Sequence, residues 1–280
     1  MICYPKISVI TAVLNCKTNI EQCILSVVDQ TYPNLEHIFI DGQSTDDTLD
    51  KIKKHSLRYQ HIRWISEKDE GIYDAMNKGI KIAAGDWLYF LGSDDVFYDK
   101  DVLNSIFQKN DPDQSDIIAG NVMLKQSGII FKNHFSFLQI LERGFHHQGI
   151  FYRKKLFDKC GKFEIKYKYL ADWAFNLKWF NNKDIKRLYV NQTIAVYNET
   201  GFSSQGEDIT FKRGKGKLIK RYFSPIIFIF YKSRLSAAVD VAEKALKILR
   251  RRGMGDFVKN IYRYLIFGRS YFRKGIALVN

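Results

Sequence analysis

Short apolar, β-branched runs alternate with amphipathic helical stretches four times within the first 91 residues. The runs read as strands over residues 7–13, 35–40, 62–65 and 87–91. Between them, apolar side chains recur at helical spacing, as in Ile20, Cys23, Ile24 and Val27. A repeated strand–helix unit buries both faces of its strands only in a parallel sheet with helices on both sides. We therefore predict an α/β fold on a mostly parallel, Rossmann-like sheet.

Helix boundaries are predicted from capping residues. Thr18 with Glu21, and Ser44 with Asp47, have the spacing of capping pairs and are predicted to begin the first two helices. Gly85 is predicted to end the third helix, because glycine readily adopts the backbone conformation that stops one.

Polar side chains follow each of the four predicted strands. They are Thr11 and Asn15 at the first strand, Asp41 after the second, Asp69 after the third, and Ser93-Asp94-Asp95 after the fourth. Functional sites of open α/β sheets lie beyond the carboxyl ends of the strands, because loops and helix N-termini converge there. Each residue alone would equally serve as a helix cap or a solvated loop residue. Four polar strand ends together predict a functional site at that edge.

The net charge of +14 is confined to the C-terminal part of the chain. From Phe211 onward there are 18 lysines and arginines against three acidic residues, whereas residues 1–210 hold 26 basic and 27 acidic residues. A nucleic-acid-binding module would carry basic residues among aromatic platforms within its folded core. The nearly neutral core therefore argues that nucleic acid is not a partner.

The cysteines and the N-terminus point to a reducing compartment. Cys3, Cys16, Cys23 and Cys160 have neither metal-ligand spacing nor the density of a disulfide scaffold. No basic segment followed by an apolar stretch opens the chain, and no apolar run approaches the roughly 20 residues that cross a bilayer. We predict a cytoplasmic protein without signal peptide or transmembrane helix.

Several motifs in the first half are specific in their order and spacing. They are SVITAVLN at 8–15, QTY at 30–32, DGQSTDDT at 41–48, SEKDEGIYDAMNKG at 66–79, GDW at 85–87 and SDD at 93–95. Over residues 6–206 the sequence resembles family 2 glycosyltransferases with the GT-A fold, particularly bacterial enzymes of surface-polysaccharide assembly. The resemblance implies a glycosyltransferase domain over 1–210, with a nucleotide-sugar-binding half (1–100) and an acceptor-binding half (101–210). A basic helical tail would follow over 211–280.

The resemblance implies roles for residues of the nucleotide-binding half. Asp41 is expected to accept hydrogen bonds from the nucleobase, since a carboxylate offers only acceptors for N–H groups. Thr11, Asn15 and Asp69 are expected to make further contacts with the donor, for which a UDP-sugar is the commonest choice. Lys78 is expected near the donor phosphates, and a solvated helix lysine is its alternative interpretation.

Residues 93–95 stand where the family has its metal motif, with serine in the first place. A divalent cation, Mn²⁺ or Mg²⁺, held by one carboxylate and by phosphate oxygens would neutralise the leaving diphosphate. The resemblance assigns Asp95 as the cation ligand and Asp94 to the donor ribose or sugar. A plain turn before the next helix is the alternative.

The second half carries the expected acceptor-side residues. By resemblance, Asp172 is the general base that takes the acceptor proton in an inverting displacement. We expect desolvation beside Trp173 to raise the pKa of Asp172. The pair His147 and Gln148 is expected at the floor of the sugar pocket. A helix N-terminal acid and an ordinary histidine are the alternatives.

The basic tail predicts contact with an anionic membrane surface. Residues 217–232 contain an apolar cluster flanked by lysine and arginine, and 236–252 show one apolar helical face. Packing on the core or on a partner is the alternative for these helices. The sequence thus predicts an inverting glycosyltransferase at the cytoplasmic face of a membrane, acting on a glycan or lipid-linked acceptor in cell-surface polysaccharide synthesis. A catalytically inactive sugar-nucleotide-binding protein of the same fold is the rival.

Overall fold

The computed structural model describes residues 4–109, 112–201 and 206–232. The strands of the described residues are β1 (Ile7–Val13), β2 (Leu35–Asp41), β3 (Ile62–Ser66), β4 (Trp87–Phe90), β5 (Val96–Phe97), β6 (Ile117–Leu124), β7 (Ile130–Lys132), β8 (Ile150–Arg153) and β9 (Arg187–Tyr197). They form one sheet in the order β3-β2-β1-β4-β8-β6-β9-β5, with β7 paired to β6.

The first four strands are parallel, as the strand–helix repeat predicted. Strand β1 pairs with β2 and β4, and β2 pairs with β3. The register places Asp41 beside both Val13 and Ser66, so the carboxyl ends of three strands lie at one edge. The second half of the chain adds antiparallel pairs, because β8 runs against both β4 and β6. The complete sheet is therefore mixed.

Helices cover both faces of the sheet. In the described residues they are α1 (Ile20–Val28), α2 (Thr48–Arg58), α3 (Ile72–Ile82), α4 (Val102–Lys109), α5 (Phe137–Glu142), α6 (Lys155–Cys160), α7 (Ala171–Phe180), α8 (Ile209–Tyr222) and α9 (Pro225–Lys232). One face packs against α3 and α5 to α8, and the other against α1, α2 and α4. Large apolar side chains such as Trp87, Phe90 and Trp179 are fully buried between the layers. Each such burial contributes about 1.5–3 kcal/mol, which holds the strand ends in place.

The predicted capping pairs do not form. Helix α1 begins after Asn19 and α2 after Asp47, and neither residue makes a side-chain capping bond. The Ser44 hydroxyl instead accepts the Asn15 N–H at 2.9 Å, so it ties two loops together. Helix α3 ends at Ile82, with Ala83 rather than Gly85 as its cap residue.

Helices α8 and α9 pack on the core. Phe211, Ile219 and Phe223 are buried in the same cluster as α7, and the boundary predicted at residue 210 falls inside α8. On α9, Ile226 and Ile229 remain 70% and 65% exposed. Within the described ranges, no helix is long and apolar enough to cross a membrane. The predicted helical stretch at 236–252 lies outside the described residues.

Candidate active site

A cleft of about 330 Å³ opens at the carboxyl ends of β1 and β4. Its N-terminal wall comprises residues 12, 15, 16, 18, 19 and 92–95, and its C-terminal wall comprises residues 147, 148, 169, 197, 198, 200 and 201, with residues 72, 73 and 76 of α3 between them. Among the predicted site residues, Asn15, Asp94, Asp95, His147 and Gln148 line this cleft. Thr11, Asp41, Asp69, Lys78 and Asp172 lie outside its lining.

Asn15 joins the loops that follow β1 and β2. Its Oδ1 accepts the Thr45 N–H at 2.8 Å, while its side chain remains exposed at the cleft. Asn15 and Gln43 have positive φ angles of 51° and 64°, a conformation that is uncommon for residues other than glycine. Such strained positions cluster at functional sites because the surrounding bonds hold them there.

The neighbouring carboxylates Asp94 and Asp95 have different surroundings. Asp95 is 1% exposed, and its two oxygens accept the Asn198 N–H at 2.7 Å and the Gln148 Nε2–H at 3.0 Å. Asp94 is half-buried, and its Oδ2 accepts the Asn198 Nδ2–H at 3.0 Å. Its Oδ1 accepts no hydrogen bond from the described residues. A Cβ on Gly92 would lie 2.4 Å from Asp95 Oδ2, so both aspartates need glycine there.

Burial also changes the chemistry of Asp95. Desolvation, followed by the nearby charge of Asp94, raises the pKa of Asp95 to about 7. Both oxygens of Asp95 accept protein hydrogen bonds, whereas Asp94 keeps an oxygen that accepts none from the described residues. Asp94 is therefore the more available carboxylate for a cation, and the assignment of that role to Asp95 stays a prediction.

Asp41 ends β2, and Asp69 lies in the loop after β3, against the residue that follows Asp41. Asp41 is fully buried and accepts the Ser44 N–H at 3.1 Å and the Ser66 hydroxyl at 2.6 Å. The Asp69 carboxylate lies directly over Gly42, where an added Cβ would come within 2.4 Å of its Oδ2. Asp69 is half-buried and accepts the Gly71 N–H at 2.9 Å. Asp41 therefore holds the loops, and Asp69 is the better placed of the two to meet a ligand.

Thr11 and Lys78 are engaged away from the cleft. Thr11 is fully buried, with its Oγ1 2.9 Å from His37 Nε2, which does not fit a side-chain contact to a nucleotide. Lys78 donates to the Lys68 carbonyl and pairs with Glu67 at 3.1 Å and with Asp74 at 3.4 Å. Desolvation opposes the effect, but these ion pairs raise the pKa of Lys78. These bonds hold the lysine on α3, and its expected place near the donor phosphates stays a prediction.

On the C-terminal wall, His147 and Asp172 form a hydrogen-bonded pair. His147 Nδ1 lies 3.0 Å from Asp172 Oδ2, and the Tyr73 hydroxyl lies 2.8 Å from Asp172 Oδ1. The short turn that carries His147 is supported from behind, since the Tyr89 hydroxyl donates to the Gln148 carbonyl at 2.6 Å. Asp172 lies in the first turn of α7 and is only 9% exposed.

The pKa of Asp172 shifts in the opposite direction to the one expected. Burial alone would raise it, but hydrogen bonds from His147 and Tyr73 outweigh burial and hold the pKa below its usual range. Trp173 points elsewhere, because its Nε1–H donates to the Ile140 carbonyl at 2.6 Å. Asp172 is therefore a buried, ionised partner of His147.

Three contributors to the site received no role from the sequence. Tyr73 belongs to the motif at 66–79, but its direction toward Asp172 requires the packing of α3 on α7. Asn198 binds both aspartates from a position 103 residues beyond Asp95. Asp208 accepts the N–H groups of Tyr169 and Leu170 and caps α8, so it fixes the start of α7. The one signal in the sequence was an aspartate placed directly before a basic helical stretch.

Comparisons with known proteins identify the family. A sequence model described as Glycosyl transferase family 2 matches residues 8–172. A PGL/p-HBAD biosynthesis glycosyltransferase of Mycobacterium bovis is 35% identical over 202 residues, which cover 70% of this chain and 78% of the relative.

Solved structures share the fold. The chain superposes on Staphylococcus aureus TarS 1-349 in complex with UDP-GlcNAc with a TM-score of 0.64 at 19% identity, covering 78% of this chain and 65% of that one. The chain thus spans about two thirds of that TarS structure. A mannosyltransferase, PcManGT of Pyrobaculum calidifontis in complex with GDP-Man and Mn²⁺, matches at a TM-score of 0.58 and 16% identity over 98% of this chain and 89% of that one. With its family motifs, GT-A fold and polar cleft, the chain belongs to glycosyltransferase family 2.

Proposed function

We propose that this protein transfers a sugar from a nucleoside-diphosphate sugar to a hydroxyl of a glycan or lipid-linked acceptor in cell-surface polysaccharide synthesis, with inversion at the anomeric carbon. One observation carries the proposal. A single cleft has Asp94, with a carboxylate oxygen that no described residue bonds, on one wall, and His147, which is hydrogen-bonded to Asp172 behind it, on the other. A donor bound on the first wall would present its anomeric carbon to an acceptor on the second.

The residues suit a divalent cation that is shared with the donor. Among the described residues, no group of three or more His, Cys, Asp or Glu side chains could hold a metal alone. Asp94 offers one hard oxygen ligand, and a diphosphate would supply others, which is how Mg²⁺ and Mn²⁺ are commonly held. When bound, the cation would neutralise charge on the departing diphosphate. The PcManGT complex contains Mn²⁺, which supports this class of cofactor.

Side chains of the protein would bind the donor and remove the proton of the acceptor hydroxyl. Asn15 would contact the donor from the lining of the cleft. Asp69, half-buried over Gly42 in the loop after β3, would make a further donor contact. The acceptor hydroxyl would attack from the His147 side and lose its proton to the pair of His147 and Asp172. One proton acceptor and no nucleophilic carboxylate are required for a single inverting displacement. The UDP-GlcNAc bound to TarS supports UDP as the first donor nucleotide to test.

A donor screen followed by product analysis tests the proposal. Thermal shift with UDP-, GDP- and dTDP-sugars in Mn²⁺ identifies the donor, since a ligand at 100 times its Kd stabilises the native state by about 2.7 kcal/mol. Proton NMR of the product then gives the anomeric configuration. A configuration opposite to that of the donor supports inversion, and a retained configuration contradicts it. Donor binding with neither transfer nor hydrolysis would instead favour the inactive sugar-nucleotide-binding protein.

The same proposal includes peripheral attachment to the cytoplasmic face of an anionic membrane. Two isoleucines one turn apart on α9, Ile226 and Ile229, are exposed beside exposed basic residues of α8. The basic residues are Lys212, Arg213, Lys217, Lys220 and Arg221. Each basic side chain near an anionic leaflet contributes about 1 kcal/mol. Exposed apolar side chains on α9 and exposed positive charge on α8, the helix that packs against it, therefore suit a lipid interface.

Liposome co-sedimentation tests this attachment. The full chain is expected to bind anionic but not neutral vesicles, and added salt is expected to weaken the binding. Serine at both Ile226 and Ile229 should reduce binding, whereas Leu57→Ser, at a 90% exposed position on α2, should not. Equal sedimentation of wild type, the double serine variant and Leu57→Ser would show that α9 only packs on the core.

A further inference from the structure

One residue of the C-terminal wall binds both neighbouring aspartates of the N-terminal wall. Asn198, directly after β9, donates its main-chain N–H to Asp95 Oδ1 at 2.7 Å and its Nδ2–H to Asp94 Oδ2 at 3.0 Å. We propose that Asn198 is a positioning residue, which fixes the Asp94 carboxylate in the orientation that binds the cation shared with the donor. This inference rests on the proposed function, in which Asp94 is the cation ligand.

The direction of the Asn198 side-chain amide is fixed by its partners. Its Oδ1 accepts the Gln126 Nε2–H at 2.6 Å, the Thr200 hydroxyl at 2.9 Å and the Thr200 N–H at 3.3 Å. Its Nδ2 faces the carboxylate of Asp94, which can only accept a hydrogen bond when it is ionised. Exchanging the two ends of the amide would set nitrogen against the Thr200 N–H and oxygen against the carboxylate. Asn198 therefore presents a donor to Asp94 in one defined orientation.

The main chain beside Asn198 is anchored by the turn between β6 and β7. Glu199 Oε2 accepts the N–H groups of Gln126 and Ser127, each at 2.9 Å. In return, the Glu199 N–H donates to Gln126 Oε1 at 2.9 Å. The same turn thus holds the side chain of Asn198 through Gln126 and its backbone through Glu199, so the amide is supported before any ligand arrives.

These contacts engage only one oxygen of the Asp94 carboxylate. Oδ2 binds Asn198 and is closely approached by the following main chain, since a Cβ on Gly201 would lie 2.6 Å from it. Oδ1 accepts no hydrogen bond from the described residues, so it is the oxygen left for a metal ion. Without the amide, the carboxylate would be free to rotate about its side-chain bonds. Loss of a group that orients a metal ligand typically lowers metal affinity by about 10–100-fold.

Calorimetric titration of UDP, with and without Mn²⁺, tests this role independently of sugar transfer. GDP or dTDP replaces UDP if the donor screen identifies that nucleotide. Asn198→Ala keeps the main-chain N–H that binds Asp95, and it should weaken nucleotide binding in Mn²⁺ by about tenfold. Nucleotide affinity without Mn²⁺ should be unchanged, whereas a general disturbance of the cleft would lower both. Asn191→Ala is the matched control, because it removes a bond to Asn121 from the same strand, and it should bind as wild type does.

A double-mutant cycle shows whether Asn198 acts through Asp94. The variant carrying Asp94→Ala and Asn198→Ala should bind the nucleotide in Mn²⁺ as weakly as Asp94→Ala alone, because substitutions that affect one shared interaction are not additive. A further loss of about tenfold in the double variant would overturn the inference, since Asn198 would then contact the nucleotide itself.

An affinity of Asn198→Ala in Mn²⁺ within about twofold of wild type would also overturn it. If the alanine variant fails to fold, Asn198→Leu, which is similar in shape but lacks the amide, is expected to show the same loss and is judged by the same limit. Wild type is measured first. No gain in its nucleotide affinity from Mn²⁺ would contradict the cation of the proposed function, whereas a gain that Asn198→Ala retains would contradict this inference alone.

Discussion

The two walls of the cleft are built in different ways. The N-terminal wall consists of loops that directly follow parallel strands, and the bonds that join the loops after β1 and β2 are local to that edge, as where Asn15 meets Ser44 and Thr45. The C-terminal wall depends on side chains brought from distant parts of the chain. Tyr73 and Asp172 are 99 residues apart, and Gln148 and Asp95 are 53 apart. The comparison teaches that the first wall follows from strand order, whereas the second requires the whole core to pack correctly.

The largest effect is expected on the C-terminal wall. Asp172→Asn should lower transfer by about 10²–10⁴-fold, because it removes the ionised carboxylate from the pair that takes the acceptor proton. Donor affinity should be unchanged. Initial rates at saturating donor measure the loss, with the exposed Asp158→Asn as the control. Transfer by Asp172→Asn at the wild-type rate would show that Asp172 has only a structural role. The two walls would then not differ in function as proposed.

The next effect separates the two adjacent aspartates. Asp94→Ala should weaken Mn²⁺-dependent donor binding by about 10–100-fold, because it removes the proposed cation ligand. Asp95→Asn should keep the Mn²⁺ dependence but lower the free energy of unfolding by about 1–3 kcal/mol, since it places an NH₂ group against a protein donor. Thermal-shift titrations with and without Mn²⁺ measure both quantities. If Asp95→Asn alone lost the Mn²⁺ dependence, the original assignment of Asp95 would be restored.

A smaller effect is expected where the loops after β2 and β3 meet. Asp69→Ala should weaken donor binding by about tenfold, the equivalent of one hydrogen bond to a charged group. Asp41→Asn should instead lower stability, because the buried carboxylate holds Ser44 and Ser66. Donor titration and urea unfolding of both variants test this division. If Asp41→Asn weakened donor binding and Asp69→Ala lowered stability instead, Asp41 rather than Asp69 would be the residue that contacts the nucleotide.

These expectations also show what the sequence could predict. The four parallel strands and the site edge followed from periodicity, and Asn15 and Asp94 lie at the cleft because strand ends fix their positions. Sequence spacing could not distinguish Asp94 from Asp95, since the distinction comes from Asn198 and Gln148, which arrive from other elements. The bond between His147 and Asp172 could likewise not be predicted from the sequence, because it requires α7 to pack beside the turn at 147–149.

The smallest effect concerns the support of α7 by α8. Lys215 Nζ lies 3.8 Å from the centre of the Trp173 ring, and desolvation, partly offset by Glu142, lowers the pKa of Lys215 to about 8. An unfolded lysine titrates near pH 10.4. Keeping Lys215 ionised therefore costs stability below about pH 8, and this cost disappears as the pH rises toward about 10.5.

Wild type should thus gain about 1–2 kcal/mol relative to Lys215→Met between pH 7.5 and pH 10, after allowance for partial exposure. Urea unfolding at the two pH values measures the gain. Lys220→Met, on the exposed side of the same helix, should show no such change. A pH-independent difference for Lys215→Met would mean that the lysine is not buried against Trp173.

The central claim is that the N-terminal wall binds the donor and the C-terminal wall acts in the transfer step. It is tested most directly by calorimetric titration of the donor, with Mn²⁺, into Asp94→Ala, Asp172→Asn and the variant carrying both changes. We predict that Asp172→Asn binds the donor as wild type does and that the double variant binds it as Asp94→Ala does. A loss of donor affinity in Asp172→Asn comparable to that in Asp94→Ala would contradict the account, because both walls would then bind the donor.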